Sequence, residues 1–427
     1  MKSGPHPACS SVCRVRFFYG SSQSSGVGLS RLAYWTVGQS RAPGREASHG
    51  HCSNFHEITA ITASPFAVKL KKLLQFSGMH GLPLYQRHDQ AFCSQYANVE
   101  QAAASQGRVL VGAPGTITEH HRGNAVYYYR QFMNAEGKRQ QESLGGPKGD
   151  PAADERVAAV MTQIEQSKDL ISRIRELAKL GFQIADNKTY ATMAVLHNYG
   201  LFQAGAVLVG SHAYAVLLNS LGIKALAYET EDIDIARARQ LALQGVPSGG
   251  LLEILKETGI DFVPVPGFNR GDPSTSFKQA GRTRFHVDLL VPSKDNRFPT
   301  VAVPELGAHA SGMPYLAYLL GQSYMGTLLS RHGAVPVRVP DPARFAIHKI
   351  LVSRLRTNMR VKSQKDIQQA CVMLAMLGEH RSGDIELACS DLPRSARPMV
   401  RRALPEVRTM LEAHEGALFE FEESVGA

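Results

Sequence analysis

Gly210-Ser211-His212-Ala213-Tyr214, Thr230-Glu231-Asp232-Ile233-Asp234-Ile235 and Phe285-His286-Val287-Asp288-Leu289-Leu290-Val291-Pro292 are the stretches that decide how this chain folds. The first follows a short apolar run, Ala206-Val207-Leu208-Val209, which reads as a strand delivered straight into a helix from His212 to Leu221, with Gly222 as its stop. The second alternates polar and apolar residues over Thr230 to Ala236, the period of a half-buried strand. The third is strand-like from Arg284 to Val291, yet holds an acid among Val and Leu.

Each stretch places chemistry by its spacing. On a strand, residues two apart project from one face, so Asp232 and Asp234 share a face and Ile233 and Ile235 take the other. Two carboxylates held together against apolar residues are costly unless a cation joins them. If the strand of Asp288 lies beside theirs, three carboxylates meet. Gly210 lets a phosphate approach the backbone, the helix that follows offers unpaired N–H groups and a positive dipole end, and Ser211 adds a hydroxyl. The plainer alternatives are edge carboxylates for the acids and a simple N-cap for Ser211.

Working outward, Ala152 to Lys179 has the apolar spacing of a long helix, followed by a second from Lys188 to Tyr199. Downstream, Ser248 to Thr258 reads as a helix capped by Ser248. Asp261 to Val265 and Thr275 to Gln279 read as strands. Asp341-Pro342 is an N-cap and first-turn pair opening a helix to Arg356, with further helices over Lys362 to Leu377 and Pro393 to Ala413. Upstream, Arg108 to Val111, Ala125 to Met133 and Lys138 to Leu144 form a small β unit around the turn Asn134 to Gly137, with His120-His121 in a turn. Tyr127, Tyr128, Tyr129, Arg130 and Arg139 interleave rings and cations on it, a composition able to stack bases, although half of them must face a core.

The chain of 427 residues carries a net charge of +10, of which residues 1–78 supply +7 from nine Lys and Arg against two Glu. The remainder is near neutral, so a global nucleic-acid footprint is not supported and any such site must be a local patch. There is no clear DNA-binding motif. Arg354, Arg356, Arg360 and Lys362 are one such patch, with a solvated face as the default. Residues 1–78, Ser-rich and acid-poor, read as a disordered tail or a start placed too far upstream, with Met79 as the candidate start. No run of about 18 apolar residues suggests a membrane span. The six cysteines are scattered without a CxxC pair, as free thiols in a reducing cytoplasm would be. No GxGxxG or GxxxxGK[ST] is present, which removes the Rossmann and P-loop readings.

Taken in order, Gly210-Ser211, Asp232-Ile233-Asp234 and Asp288 resemble the signature of the DNA polymerase β nucleotidyltransferase superfamily. GSHAY, TEDIDI and FHVDLLVP resemble, more narrowly, a bacterial nucleotidyltransferase-like family, and Phe345-Ala346-Ile347-His348-Lys349 with Lys365-Asp366-Ile367-Gln368-Gln369-Ala370 resembles its C-terminal helices. The resemblance implies an α+β fold with a polymerase β-type core. The chain then divides into 1–78, a small β unit and linker over 79–150, the core over 151–300, and a C-terminal strand and helical subdomain over 301–427. It implies Ser211 as phosphate binder, Asp232, Asp234 and Asp288 as ligands of Mg²⁺ or Mn²⁺, and Asp288 as the base toward an incoming hydroxyl. Lys349 can reach a triphosphate or simply be salt-bridged, and Lys365-Asp366 reads as capping and surface charge, with a role in the site as the alternative. The expected activity is transfer of NMP from an NTP to a small molecule, a protein or an RNA end, without a membrane partner. The alternative is a catalytically silent nucleotide- or RNA-binding module. The connection Asn219 to Tyr228 is longer than is usual in the superfamily, so substrate identity does not carry over.

Overall fold

A computed structural model describes residues 82–228, 230–267, 271–294, 297–356 and 360–426. The expectations for residues 1–78 lie outside them.

The chain first runs through β1 (Tyr85–Arg87) and α1 (Gln90–Ala104), a helix that the sequence reading did not anticipate. Its buried side is Tyr96, Val99 and Ala103, spaced three and four apart. The strand expected at Arg108 to Val111 does not form. Val109 is held by a side chain instead: Asn198 accepts from its N–H at 2.9 Å and donates to its carbonyl at 2.8 Å. The β unit is a three-stranded antiparallel sheet of β2 (Thr116–Arg122), β3 (Ala125–Met133) and β4 (Arg139–Pro147). His120 and His121 therefore lie in a strand, not in a turn. The long helix α2 (Pro151–Lys179) serves two cores. Val157 near its start packs with Tyr128 and Leu144, while Leu170, Ile174 and Leu177 near its end pack with Tyr96 and Val99.

The central sheet is built from residues far apart in sequence. After α3 (Asn187–Asn198) come β5 (Val207–Val209), α4 (Gly210–Ser220), β6 (Ile223–Ala225) and β7 (Asp232–Ala236). Then follow α5 (Gly250–Lys256), β8 (Phe262–Pro264), β9 (Ser276–Gln279), β10 (His286–Pro292), β11 (Thr300–Val303) and β12 (Ala308–Met313). The strand order is β11-β12-β10-β7-β5, with β9 along the start of β10 and β8 beyond it. β7 and β10 are parallel, and β5 joins β7 antiparallel, so the sheet is mixed. It extends past residue 300, since β11 and β12 complete its edge. β6 pairs with β1, which is where the long connection after α4 leads. Ser248 does not cap α5: Gly249 holds the cap position and its N–H donates to Glu253 at 2.8 Å.

Ile233, Ile235, Val287 and Leu289 are buried on one sheet face. Burying each such side chain is worth about 1.5–3 kcal/mol, which fixes which way the strands face and leaves the alternate residues on the other side. The C-terminal part follows a short helix α6 (Leu316–Leu319) and the hairpin β13 (Ser323–Ser330) and β14 (Gly333–Pro340). It consists of α7 (Pro342–Leu355), α8 (Arg360–His380), α9 (Asp384–Ser390), α10 (Arg397–Met410) and α11 (Glu415–Gly426). Asp341 caps α7 by accepting from the N–H groups of Ala343 and Arg344, each at 3.0 Å. The result is an α+β fold, a mixed sheet flanked by helices with a helical C-terminal region. No helix among the described residues is long and apolar enough to cross a membrane.

Candidate active site

The sheet register aligns the acids. Asp234 of β7 stands opposite Asp288 of β10, and Val209, the last residue of β5, stands opposite Asp234 on the other side. Residues paired across neighbouring strands have their Cβ atoms about 5 Å apart, so Asp234 and Asp288 project side by side. Asp232, two residues earlier, stands opposite His286, which in turn stands opposite Lys278 of β9. One sheet face thus carries two rows: Asp232, His286 and Lys278, then Asp234, Asp288 and Ser276.

His286 links the carboxylates. Its Nε2 is 3.3 Å from Asp288 Oδ2 and its Nδ1 is 3.4 Å from Asp232 Oδ1, while Nδ1 also donates to the Arg284 carbonyl at 2.7 Å. The hydrogen bond with Asp288 and the surrounding negative charge push the imidazole up to about 9, so it is cationic at neutral pH. Asp234 is pushed up to about 6, first by burial and then by the charge of Asp288. Lys349 and Arg356 pull it the other way.

Gly210 and Ser211 begin α4 directly after β5. Gly210 has φ +69, and a Cβ there would fall 2.0 Å from Asp234 Oδ2, so only glycine fits against the acid. The cap position is Val209, and Ser211 already lies within the first turn. Its hydroxyl makes no hydrogen bond among the described residues, which removes the simple N-cap reading. The next residue, His212, is buried with Nε2 unpartnered, and burial lowers it to about 4.

A third layer of charge comes from the C-terminal helices. Lys349 on α7 is buried and donates to Asp366 at 2.8 Å, and Arg356 donates to the other oxygen of Asp366 at 2.6 Å. Asp366 is 1% exposed. It is therefore a buried bridge between two cations, not the surface charge expected for Lys365-Asp366. Lys365 Nζ lies 5.2 Å from the centre of the Tyr228 ring and is lowered to about 8, first by burial and then by the charge of Lys349. Arg354, from the expected basic patch, is paired with Glu406. Arg282 and Arg284 are exposed beside the start of β10.

The resemblance to the polymerase β superfamily implies a divalent cation. The donor chemistry fits: hard carboxylate oxygens share a sheet face, and Asp234, raised first by burial and then by the charge of Asp288, is a group whose ionised form a cation would favour. The present arrangement is not a finished cage. Among the described residues no group of three or more His, Cys, Asp or Glu side chains is arranged to hold a metal ion, and the His286 imidazole spans Asp232 and Asp288. Sequence reasoning missed His286, although its place two residues before Asp288 on a strand was the available signal. Lys278 and the Asp366 bridge had no local signal, because strand pairing and helix packing bring them in. Of the cysteines, Cys93, Cys371 and Cys389 are free thiols.

Residues 187–392 match the model of a family described as Nucleotidyltransferase. That segment belongs to the nucleotidyltransferase superfamily, and Gly210, Ser211, Asp232, Asp234, Asp288, Lys349 and Asp366 all fall inside it. A crystal structure of an antigenic nucleotidyltransferase-like protein from Paracoccidioides brasiliensis is similar at 18% identity, over 53% of this chain and 92% of that one, with a TM-score of 0.27. No curated protein matches.

Proposed function

We propose that this protein transfers a nucleoside monophosphate from a nucleoside triphosphate to an acceptor hydroxyl in the cytoplasm, with Mg²⁺ or Mn²⁺ as its cation. The observation that carries the reading is the register Val209–Asp234–Asp288, with Gly210 pressed against Asp234. It brings the glycine-led helix start to the carboxylates, as triphosphate chemistry requires.

In the reaction the acceptor oxygen attacks the α-phosphorus and a new P–O bond forms. The bond from the α-phosphorus to the bridging oxygen breaks, and its electron pair leaves with pyrophosphate. The hydroxyl proton passes to a carboxylate, in the role of Asp288. The first-turn amides of α4 and the Ser211 hydroxyl hold phosphate oxygens, while Lys365 and Lys349 offset their charge. A divalent cation held by Asp232, Asp234 and Asp288 would neutralise the triphosphate and acidify the attacking hydroxyl. His286 must release at least one carboxylate to make room.

Incubation with each α-labelled NTP, Mg²⁺ and a cell extract should label one fraction, and Asp234→Asn should label none. Equal labelling by Asp234→Asn would overturn the reading. The position of His286 favours a second one, a catalytically silent nucleotide-binding module in which the imidazolium takes the place of a cation. It predicts NTP-dependent stabilisation that is indifferent to Mg²⁺, and no labelled acceptor.

A further inference from the structure

The three-stranded sheet β2–β3–β4 has two unlike faces. Tyr128 and Leu144 turn inward to Val157 of α2. Arg130 also turns inward, donating to the carbonyls of Pro114, Val111 and Ala113 and pairing with Glu142. Cross-strand pairing puts Thr118 opposite Tyr129 and His120 opposite Tyr127 on the outward face, with Ser143 beside Tyr129 and Gln141 beside Gln131.

The outward face is organised. The His120 ring lies 4.6 Å from the Tyr129 ring, and the Arg122 guanidinium lies 5.8 Å from the Tyr127 ring and 5.9 Å from the Tyr129 ring. Gln141 Nε2 is 3.3 Å from His120 Nε2. Arg122 and Arg139 are exposed at its two ends. The register places no carboxylate here: Glu119 pairs with Tyr128 and Glu142 with Arg130, both on the inward face.

We propose that this outward face is a platform for single-stranded RNA, with Tyr127 and Tyr129 as stacking rings and Arg122 and Arg139 as phosphate contacts. Three features select that occupant. The face is purely cationic, which complements a phosphate backbone. Tyr127 and Tyr129 are two residues apart, roughly 7 Å along the strand, so each ring can take one base. Hydroxyl and amide groups of Thr118, Ser143, Gln131 and Gln141 flank the rings, where a ribose 2′-hydroxyl finds partners that deoxyribose does not use.

One end of this sheet is tied to the strand beside the carboxylates. Glu136, in the turn between β3 and β4, accepts from Gln279 of β9 at 2.5 Å, and Gln279 receives Lys188 at 2.7 Å. Ser276 of the same strand stands opposite Asp288. Three residues of strand, about 10 Å, separate that register position from the tether. The tether joins the RNA platform to the carboxylate-bearing sheet, and bound RNA is then the acceptor class, a step that rests on the transfer reading above.

Fluorescence anisotropy of the full chain with a labelled oligouridylate of about 12 nucleotides tests the platform apart from catalysis. The oligouridylate should bind more tightly than a deoxyoligonucleotide or an RNA duplex of the same length. Tyr129→Ala should weaken it about tenfold, while Tyr129→Phe, which keeps the ring, should stay within about twofold. Arg122→Gln should lower the salt slope by about 1. Asp234→Asn should bind RNA unchanged. No affinity for the oligouridylate, equal affinity for deoxyoligonucleotide or duplex, or an unaltered Tyr129→Ala each overturns the proposal. RNA bound on this face by a protein that transfers no nucleotide would leave the platform standing and remove the enzyme reading instead.

Discussion

The backbone of Gly210 lies so close to the Asp234 carboxylate that a single added carbon would sit 2.0 Å from Oδ2, at a residue whose φ of +69 already disfavours any side chain. Both costs fall on one substitution. Gly210→Ala should lose about 1–3 kcal/mol of stability, from left-handed strain and from displacing the acid. It should also lose NTP-dependent stabilisation in a thermal melt. Wild-type melting with retained NTP response would show that the close approach is not needed.

Asp234 answers differently. Its carboxyl is raised to about 6 in the folded protein from an ordinary value near 3.8. An acid raised on folding favours the folded state while protonated, and that contribution is lost as pH rises through about 6. Asp234→Asn should therefore melt at or above the wild-type temperature at pH 8, with the difference shrinking toward pH 4. Nucleotide transfer should fall by about 10²–10³ or more, the scale of removing transition-state charge stabilisation. Added Mg²⁺ should raise the melting temperature of the wild type and not of the variant. A variant less stable than wild type at pH 8 would contradict the charge crowding.

Asp366 should prove structurally costly to remove. It is 1% exposed and carries both Lys349 and Arg356. Asp366→Ala strands two cations, and breaking a buried pair from one side costs about 3–5 kcal/mol. Lys349→Met leaves Asp366 still paired with Arg356, so its loss should be smaller. Denaturant unfolding of the two variants compares them directly, and the reverse order would rule out Asp366 as the shared anchor.

Acid should destabilise the protein through its buried histidines. Burial lowers His348 to about 3 and His212 to about 4, and it also lowers His197. A histidine depressed on folding binds its proton more readily in the unfolded chain, so its contribution is present above about pH 6.5 and drains away as pH falls toward the folded values. Each such proton costs about 1.4 kcal/mol per pH unit in that window. Asp234 and His286, both raised on folding, run the opposite way, against five lowered histidines once His88 and His332 are counted. Unfolding free energy should fall steadily from pH 7 to 5, and His348→Met should flatten the fall. A pH-independent free energy over that range would refute it.

Period and punctuation within the sequence determined much of this protein. The two-residue spacing put Asp232 and Asp234 on one face because a strand alternates wherever it lies, and Gly210-Ser211 marked a strand-to-helix turn because only glycine tolerates that backbone against an acid. Asp341-Pro342 marked the start of α7 for an equally local reason, the capping of free N–H groups. What the tertiary structure alone decided depends on pairing between distant segments. Asp288 stands opposite Asp234 because β7 and β10 lie parallel, and no local signal sets that register. His286 falls between Asp232 and Asp288, and Lys278 beside His286, for the same reason. Val109, strand-like by composition, was instead claimed by the side chain of Asn198. Asp366 passed for surface charge until α7 and α8 packed and closed Lys349 and Arg356 around it. Local sequence sets the direction in which a side chain leaves its strand or helix; which other side chain it meets there is set by burial of the apolar faces, a property of the whole chain.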